Sequence, residues 1–362
     1  VACDVVLLTT MIGGKTTGSI QSPWLVVSSW WFILYAMSTG LLLFFHYWHA
    51  HDRIYPLILT IFHFFLTLSI VSFVYPLGFG YDPFLHRATE EHIVHFGAAF
   101  PKTPFYIGQY SLIHLIVAAT HLPLKLVDIW LVPVIASVLI PLAAYTGLRF
   151  GAKVSNRLAH IGSLLILLYP AQTFIVTTPH NLANVFLLTT IFLSLLSLSN
   201  KNLVFPALMI ALASAATHPL SGLLALLFIL IINNKNKFVS ALFFFGMAIS
   251  TTVLFGIYFF LQGKALPDLY NIIANKNSFL QLFATPYYVN LDKVSWPFEL
   301  IYTYQWAIVL CIVVVALLGA WKKRAQVFWY LMAPVALLLN TFLTSTLVVV
   351  PELSSFEQIQ YA

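Results

Sequence analysis

Long apolar stretches alternate with short polar clusters along the whole chain. The stretch Ile308 to Ala320 is apolar on every face of a helix, whereas a strand of a membrane β-barrel alternates polar and apolar residues. A helix of about 20 apolar residues crosses the ~30 Å hydrocarbon core of a bilayer. The pattern therefore predicts an all-α, polytopic transmembrane helical bundle with about ten spans.

The predicted spans are separated by turns or polar loops. They cover residues 23–46, 54–76, 127–148, 158–178, 182–199, 203–217, 219–233, 238–261, 300–321 and 326–349. The pair 203–217 and 219–233 could also form one long tilted helix. We favour two helices, because Pro219 lacks a backbone N–H and follows His218 in the middle of the apolar run.

Composition agrees with a membrane location. Of 362 residues, 8% are charged and 60% are hydrophobic, with a mean hydropathy of +0.92, whereas soluble domains are about 25% charged. We expect a multi-pass integral protein of the cell (plasma) membrane, with one transmembrane domain over residues 1–362.

Because Val1 is not a start methionine, we expect the chain to be a fragment of a longer protein. Cys3 and Cys311 lie far apart in apolar surroundings, which excludes a disulfide framework and a cysteine metal site.

Charge is distributed unevenly between alternate loops. The net charge of +6 comes from short loops, where lysine and arginine set orientation, so we expect no nucleic acid partner. If loop 49–53 is cytoplasmic, alternation of the spans predicts that Arg149, Lys153, Arg157, Lys201, Lys235, Lys237 and Lys322 to Arg324 are also inside. It predicts that Asp82, Glu90, Glu91, Asp128, Asp268, Asp292, Glu299, Glu352 and Glu357 are outside and leaves Asp4 unplaced.

This distribution predicts two outer loops, at about residues 77–126 and 262–299. This assignment of loops to the two sides holds only if residues 105–120 do not cross the membrane. We therefore expect an amphipathic helix along the outer surface there. The second outer loop mixes apolar segments with lysines. It fits a mobile lid or an interfacial segment without a catalytic role.

The first outer loop contains a polar stripe. Two glycines and Pro83 mark a helix start that puts Asp82 near an N-cap. Asp82, His86 and Glu90 then recur every four residues on one helix face, and Glu91 and His95 form a second pair. Such a stripe could bind a divalent cation or supply a general base. The alternative is that Asp82 only caps the helix and that the stripe is its solvated side.

An aromatic segment follows this helix after a turn. Pro101 and Pro104 enforce the turn, and Tyr106, Gln109 and Tyr110 come next. Tyrosines at this place are typical of a membrane interface, but an aromatic belt does not explain the accompanying Lys102, Gln109 and His114.

Together these features resemble the amino-terminal module of the GT-C glycosyltransferases. The resemblance covers roughly residues 54–233. It rests on the acidic segment Gly80-Tyr-Asp-Pro-Phe-Leu-His86, the amphipathic helix, the Pro-x-x-Pro-aromatic turn, the flat helix and the span ending in Leu148-Arg149. In this superfamily of oligosaccharyltransferases, protein O-mannosyltransferases and aminoarabinose transferases, the acidic residue of the first loop is catalytic and the donor is a polyprenyl-phosphate sugar. The resemblance implies that Asp82 has this role.

Two positions depart from the family pattern. Many members have a second acid beside the first, whereas Pro83 and Phe84 follow Asp82 here and the nearest acids are Glu90 and Glu91. Members often have another acid in the next outer turn, where this chain has His180. No cofactor follows with certainty, although Asp82 and Glu90 could bind Mg²⁺ or Mn²⁺.

Glycosyl transfer from a lipid phosphate needs a base for the acceptor hydroxyl and donors for the departing phosphate. The candidate catalytic residues are Asp82, Glu90 and Glu91. The candidate substrate-binding residues are His86, Arg87, Lys102, Tyr106, Gln109, His180 and His218, with Lys125 as a further phosphate contact. His180 and His218 could equally be helix-end histidines bonded to backbone or water.

The predicted function is therefore transfer of a hexosyl or related sugar from a polyprenyl-phosphate donor, at the outer face of the cell envelope membrane, to a glycan, lipid or protein acceptor.

The alternative is a transporter or flippase for a lipid-linked or small polar substrate. It would need ionisable groups near the bilayer midplane, and His63 is the one such side chain well inside a predicted span. An O-antigen ligase or polymerase would have outer arginines, of which Arg87 is the only one. Histidines 46, 49 and 51 are predicted to form a cytoplasmic interfacial edge.

Overall fold

A computed structural model describes most of the chain. The described residues are 2–18, 23–48, 54–168, 174–261, 263, 268–269, 310–311, 313–315, 318 and 325–349. Their helices are α1 (Ala2–Gly13), α2 (Trp30–Trp48), α3 (Ile54–Leu68), α4 (Ile70–Val74), α5 (Tyr81–Phe96), α6 (Ile107–Thr120), α7 (Leu124–Thr146), α8 (Asn156–Leu165), α9 (Pro179–Ser199), α10 (Val204–Thr217), α11 (Pro219–Asn233), α12 (Lys237–Leu261) and α13 (Ala325–Leu347). Apart from two strands of two residues each, the prediction of an all-α protein is confirmed for this part of the chain.

Four helices are long and apolar enough to cross a membrane. They are Trp30–Trp48, Leu124–Gly151, Pro179–Ser199 and Lys237–Leu261. These helices indicate a membrane protein. The number of about ten spans stays a prediction, because the other apolar helices are shorter. The predicted span 300–321 and the second outer loop lie almost entirely outside the described residues.

Several predicted spans have different boundaries in the structure. The span 54–76 is divided at Ser69 into α3 and α4. The span 158–178 begins as α8 and continues as a 3₁₀ turn to Leu168. At His218 the backbone is extended, with φ −152°, so α10 and α11 are separate helices, as Pro219 predicted.

The chain divides into two compact units. Of the described residues, those up to Gly222 belong to the first unit and those from Leu223 onwards belong to the second. In the second unit α12 packs against α13. The Asn340 amide joins the two helices, since Oδ1 accepts from the Thr251 N–H at 3.1 Å and Nδ2 donates to the Thr251 hydroxyl at 2.8 Å. Two-residue strands β1 (Asp268–Leu269) and β2 (Val348–Val349) pair antiparallel in this unit.

Helix α7 lies in the core of the first unit and packs against α3, α6, α8 and α9. Its residues Val132, Ala136 and Ile140 are fully buried. Pro133 within α7 has no N–H and therefore leaves the Ile129 carbonyl without its helical donor. The Ser72 hydroxyl donates to that carbonyl at 3.1 Å, so α4 satisfies a backbone group for which lipid offers no partner.

The predicted interfacial edge is wrong for His46. This side chain is fully buried, and its Nε2 lies 2.9 Å from the Thr60 hydroxyl of α3. The ring also stacks on His160 of α8, with ring centroids 5.4 Å apart. His49 and His51 lie outside the described residues.

Candidate functional site

Helix α5 begins at a pair of backbone positions that favour glycine. Gly78 and Gly80 have φ of +105° and +84°, and Gly80 is the N-cap residue. Asp82 therefore lies in the first helical turn, two residues after the N-cap and near it, as predicted. Its carboxylate is free to contact other side chains instead of capping the backbone.

Asp82 contacts two basic side chains. Lys102 Nζ lies 2.6 Å from Oδ1, and His86 Nε2 lies 3.3 Å from Oδ2. The Asp82 side chain is 52% exposed and that of Lys102 is 27% exposed, so both are accessible. The Lys102 backbone N–H donates to the Thr89 hydroxyl at 3.1 Å, which holds the turn after α5 against the helix and brings Lys102 to Asp82.

A series of contacts between aromatic and histidine rings extends from His86, which contacts Asp82. His86 Nδ1 lies 2.8 Å from the Tyr110 hydroxyl. The Tyr106 ring contacts His86 edge to face at 5.2 Å and stacks on His218 at 5.6 Å. His218 in turn contacts His180 edge to face at 5.1 Å. We call this group the Asp82 cluster; its members are Asp82, His86, Lys102, Tyr106, Tyr110, His180 and His218.

The close approach of α6 to α10 makes these ring contacts possible. A Cβ on Gly108 would lie 2.6 Å from the Ala216 carbonyl carbon, so only glycine fits here. Tyr106 precedes Gly108 by two residues, and His218 follows Ala216 by two. The glycine contact thus brings Tyr106 and His218 together.

Burial and hydrogen bonding determine the charges of the cluster. Burial alone would raise the pKa of Asp82, but the contacts with His86 and Lys102 outweigh it and hold that pKa well below its usual range. Burial lowers the pKa of His86, although Asp82 opposes the shift. Burial lowers the pKa of His218 to about 3. At neutral pH the cluster therefore has an Asp82 carboxylate and a neutral His218.

The hydrogen bonds of His180 indicate its tautomer. The Ser221 hydroxyl donates to Asn184 Oδ1 at 3.0 Å, so Asn184 Nδ2 is directed to His180 Nε2, also at 3.0 Å. An amide nitrogen only donates, so His180 Nε2 accepts and the ring proton lies on Nδ1. Within the described residues this Nδ1 is buried and has no hydrogen-bond partner. It is therefore a buried donor without an acceptor among the described residues.

Three other predicted residues lie in a second, buried group. Arg87 Nε donates to Asp128 Oδ2 at 2.7 Å, and its Nη1 donates to the Leu77 carbonyl at 2.9 Å. Gln109 Nε2 donates to Glu90 Oε1 at 3.1 Å. We call Arg87, Glu90, Gln109 and Asp128 the Arg87 cluster. Because Arg87 is committed to Asp128 and its side chain is only 9% exposed, it joins α5 to α7 and is not available to a phosphate.

The surroundings of Glu90 disfavour its ionised form. It is fully buried, and burial, followed by the nearby Asp128 charge, raises the pKa of Glu90 well above its usual range. The alternative that the stripe is a solvated helix face is wrong, because His86 is 2% exposed and Glu90 is fully buried. Glu91 is exposed and belongs to neither cluster.

The predicted metal ligands do not fit a divalent cation. Asp82 contacts Lys102 and His86, whereas Glu90 contacts Gln109, so the two carboxylates have different neighbours. Mg²⁺ and Mn²⁺ need several oxygen ligands, and an adjacent ammonium group opposes a cation. Among the residues that the structure describes, no group of three or more His, Cys, Asp or Glu could hold a metal ion.

An apolar groove lies along α6 and α7. It has a volume of about 430 Å³, and its lining includes Ile116, Leu126, Trp130 and Val134. Helix α6 contributes Tyr110 to the Asp82 cluster and Ile116 to this groove, so the two features share one helix.

Asn184 and Ser221 were not predicted, although sequence spacing could have indicated both. Asn184 follows His180 by one helical turn, and Ser221 follows His218 by three residues. Asp128 was predicted only as an outer charge, and no local pattern pairs it with Arg87. In comparisons with known proteins, no protein-family model, no curated protein and no solved structure matches this chain.

Proposed function

We propose that the chain is a membrane glycosyltransferase that transfers a sugar from a polyprenyl-phosphate donor to an acceptor hydroxyl at the outer face of the plasma membrane. The observation that carries the proposal is the convergence of Asp82, Lys102, His180 and His218 from four separate segments of the sequence. A carboxylate beside an ammonium group and a hydrogen-bond donor matches the needs of this reaction.

In the proposed reaction Asp82 accepts the proton of the acceptor hydroxyl. The acceptor oxygen forms a bond to the anomeric carbon of the sugar, while the bond from that carbon to the phosphate oxygen breaks. The bonding electrons leave with polyprenyl phosphate, and the proton ends on the Asp82 carboxylate. Lys102 and the His180 Nδ1–H stabilise the departing phosphate by charge and by a hydrogen bond.

Lys102 also lowers the basicity of Asp82, although His86 lowers the pKa of Asp82 more. In the free site its contact at 2.6 Å helps to hold the pKa of Asp82 low, which makes the carboxylate a weak base. A donor phosphate competes for the Lys102 ammonium group. When Lys102 turns to the phosphate, the pKa of Asp82 rises towards its ordinary value of 3.8, so donor binding activates the base.

The apolar groove along α6 and α7 supports a lipid-linked donor. Its lining is almost wholly apolar and includes Ile116 of α6, the helix that contributes Tyr110 to the cluster. Hydrocarbon in the groove would stay in contact with apolar groups while the phosphate reaches Lys102. The acceptor is a glycan, lipid or protein hydroxyl.

Asp82→Asn tests the proposal. The exchange removes the proton acceptor and nearly preserves volume, and a half-exposed ion pair contributes about 1 kcal/mol or less to stability. We expect transfer to fall by about 10²- to 10⁴-fold, the range typical of general-base removal. The measurement is release of polyprenyl phosphate from a panel of polyprenyl-phosphate hexoses by the purified protein in lipid, with added acceptor sugars.

Two further variants make the result specific. His95→Gln changes an exposed residue on the same helix outside both clusters and should leave the rate at the parental level. Glu91→Gln makes the same chemical change as Asp82→Asn nine residues later. Loss of transfer in Glu91→Gln, with parental activity in Asp82→Asn, would move the base to Glu91. Absence of release from every donor by the parental protein would contradict the proposed function.

A further inference from the structure

The turn between α7 and α8 contains three basic side chains. They are Arg149, Lys153 and Arg157, and we call them the basic turn. Arg149 lies in the π-helical segment Gly147–Gly151 at the end of α7, Lys153 comes next, and Arg157 lies in the first turn of α8. Positive charges this close in sequence repel one another, and a bound anion relieves the repulsion.

Backbone hydrogen bonds hold this turn in place. The Val154 N–H donates to the Leu148 carbonyl at 3.1 Å, and the Ala152 N–H donates to the Gly147 carbonyl at 2.9 Å. Arg149 Nη1 donates to the Val154 carbonyl at 3.2 Å, which places the guanidinium group against the turn. The three basic side chains therefore belong to one hydrogen-bonded segment.

The guanidinium group of Arg149 has donors without acceptors. The contact of Nη1 with the Val154 carbonyl is its one hydrogen bond within the described residues, although the group has five N–H donors. Nε is buried and has no hydrogen-bond partner in this part of the chain. Because a buried donor without an acceptor is costly, the arrangement favours a ligand that supplies an acceptor oxygen.

The basic turn has an excess of positive charge. Among the residues that the structure describes, none of its three side chains forms an ion pair. The opposite end of α7 is different, because Asp128 there accepts from Arg87 at 2.7 Å. Asp52, which lies between α2 and α3 in the sequence, is outside the described residues, and one carboxylate would compensate only one of the three charges.

The length of the helix indicates where the basic turn lies in a membrane. The segment Leu124–Gly151 has 28 residues and is long and apolar enough to cross a membrane. At 1.5 Å per residue it extends about 42 Å, similar to the ~40–45 Å of a bilayer with its headgroup regions. The two ends of the segment are therefore at the level of the headgroups, and Arg149 is two residues from one end.

Exposed apolar side chains lie next to the basic ones. Phe150 follows Arg149 and is 46% exposed, and Leu158 follows Arg157 and is 57% exposed. The Arg157 guanidinium carbon also lies 4.3 Å from the centroid of the Tyr47 ring of α2. Cations beside exposed apolar and aromatic groups match a lipid, which combines an anionic headgroup with acyl chains, better than a soluble phosphate.

We propose that the basic turn binds an anionic phospholipid of the membrane leaflet at this end of α7. The headgroup phosphate accepts hydrogen bonds from the guanidinium groups of Arg149 and Arg157, and Lys153 adds a positive charge. The acyl chains contact exposed apolar side chains such as Phe150. The site lies at the end of α7 opposite to Asp128 and does not depend on the proposed glycosyl transfer.

Native mass spectrometry of the purified protein in detergent, titrated with phosphatidylglycerol or with phosphatidylcholine, tests the proposal. We expect the anionic phosphatidylglycerol to bind more tightly than the zwitterionic phosphatidylcholine. Each basic residue near an anionic membrane surface contributes about fivefold to affinity. The double variant Arg149→Gln, Arg157→Gln should therefore bind phosphatidylglycerol about 25-fold more weakly than the parental protein.

Two further double variants make the result specific. Lys153→Gln with Arg157→Gln removes two exposed charges and keeps the Arg149 hydrogen bond, so it tests the site even if the first variant fails to fold. We expect the same loss of affinity. Lys201→Gln with Lys235→Gln removes two exposed lysines from other turns and should bind phosphatidylglycerol like the parental protein.

Equal binding of the two lipids by the parental protein would overturn the proposal, since apolar contact alone would then hold them. A similar loss in the variant without Lys201 and Lys235 would also overturn it, because net charge would then attract the lipid. Displacement of phosphatidylglycerol by an equal concentration of glycerol phosphate would contradict it as well, since the turn would then bind free phosphate. No sugar donor is present in these measurements, so their failure is distinct from failure of the proposed function.

Discussion

On helix α5, two acids eight residues apart have pKa values that are shifted in opposite directions. Asp82 contacts Lys102 and His86, and its pKa lies below the usual range. Glu90 is fully buried beside Asp128, and its pKa lies above the usual range. The same side-chain chemistry thus favours an anion in the first turn of α5 and disfavours one in the middle of the helix, because the neighbours differ.

Glu90→Gln should make the protein less sensitive to alkaline pH. The pKa of Glu90 is raised in the folded protein, so its contribution to stability is complete below the ordinary value of 4.5 and is lost as pH rises towards the folded value. Glutamine has no charge to bury at any pH. As pH rises through that window, the parental protein should lose up to about 1.4 kcal/mol of unfolding free energy per pH unit from Glu90. Glu90→Gln should not show this loss.

The measurement is thermal unfolding in detergent at about pH 5 and about pH 9, the two sides of the expected window. Parental protein should lose more of its melting temperature between these conditions than Glu90→Gln. Equal losses would mean that Glu90 is ionised in the folded protein. Arg87 would then compensate the charges of both Glu90 and Asp128.

At the scale of the helix, α6 combines an apolar sequence with limited length. Its 14 residues extend about 21 Å at 1.5 Å per residue, which is shorter than the ~30 Å hydrocarbon core. It packs against α5, α7, α9 and α10. The Tyr110 side chain is fully buried and hydrogen-bonded to His86, so it is not part of an aromatic belt. That α6 lies along the outer surface stays a prediction.

Gly108→Ala should destabilise the protein through the α6–α10 contact. The new methyl group would lie 2.6 Å from the Ala216 carbonyl carbon, and backbone atoms cannot rotate away as a side chain can. We expect a loss of about 1–3 kcal/mol, as for other overpacked contacts. Thermal unfolding in detergent measures it.

Gly40→Ala is the matched control for that prediction. Gly40 is in the interior of α2, and a Cβ there would meet no atom within 4 Å. Alanine has the higher helix propensity by about 1 kcal/mol, so this variant should keep or raise the melting temperature. A similar loss in both variants would show that the α6–α10 contact is not the cause.

At the scale of the whole molecule, the charge distribution predicts orientation. Lys235, between α11 and α12, belongs to the predicted inner group, and Ala98, after α5, belongs to the first outer loop. Both residues are exposed. The rule that lysine and arginine stay on the cytoplasmic side of short loops therefore puts the two residues on opposite sides of the membrane.

Cysteine labelling in intact cells tests this orientation. In a Cys3→Ala, Cys311→Ala background, Ala98→Cys should react with a membrane-impermeant thiol reagent and Lys235→Cys should react only after the cells are opened. The reverse result would put Asp82 in the cytoplasm and would contradict transfer at the outer face. Labelling of both residues in intact cells would contradict the alternation of spans on which the two outer loops depend.

The sequence by itself determined the helical class, most helix positions and much of the candidate site. Hydrophobic runs of helix length indicate segments that are buried in lipid, and Pro219, which lacks a backbone N–H, lies where α10 ends and α11 begins. The local spacing of Asp82 and His86, four residues apart on one helix, also predicted their contact correctly.

Only the tertiary structure decided which polar residues meet across helices. Arg87 lies one position from His86 in sequence, yet the helix directs it to Asp128 of α7, whereas His86 faces Asp82 and Tyr110. His180 and His218 meet Tyr106 because Gly108 allows α6 to approach α10, and Asp4 meets His63 because α1 packs against α3. Such contacts depend on the relative position of whole helices, which the periodicity of any single segment does not contain.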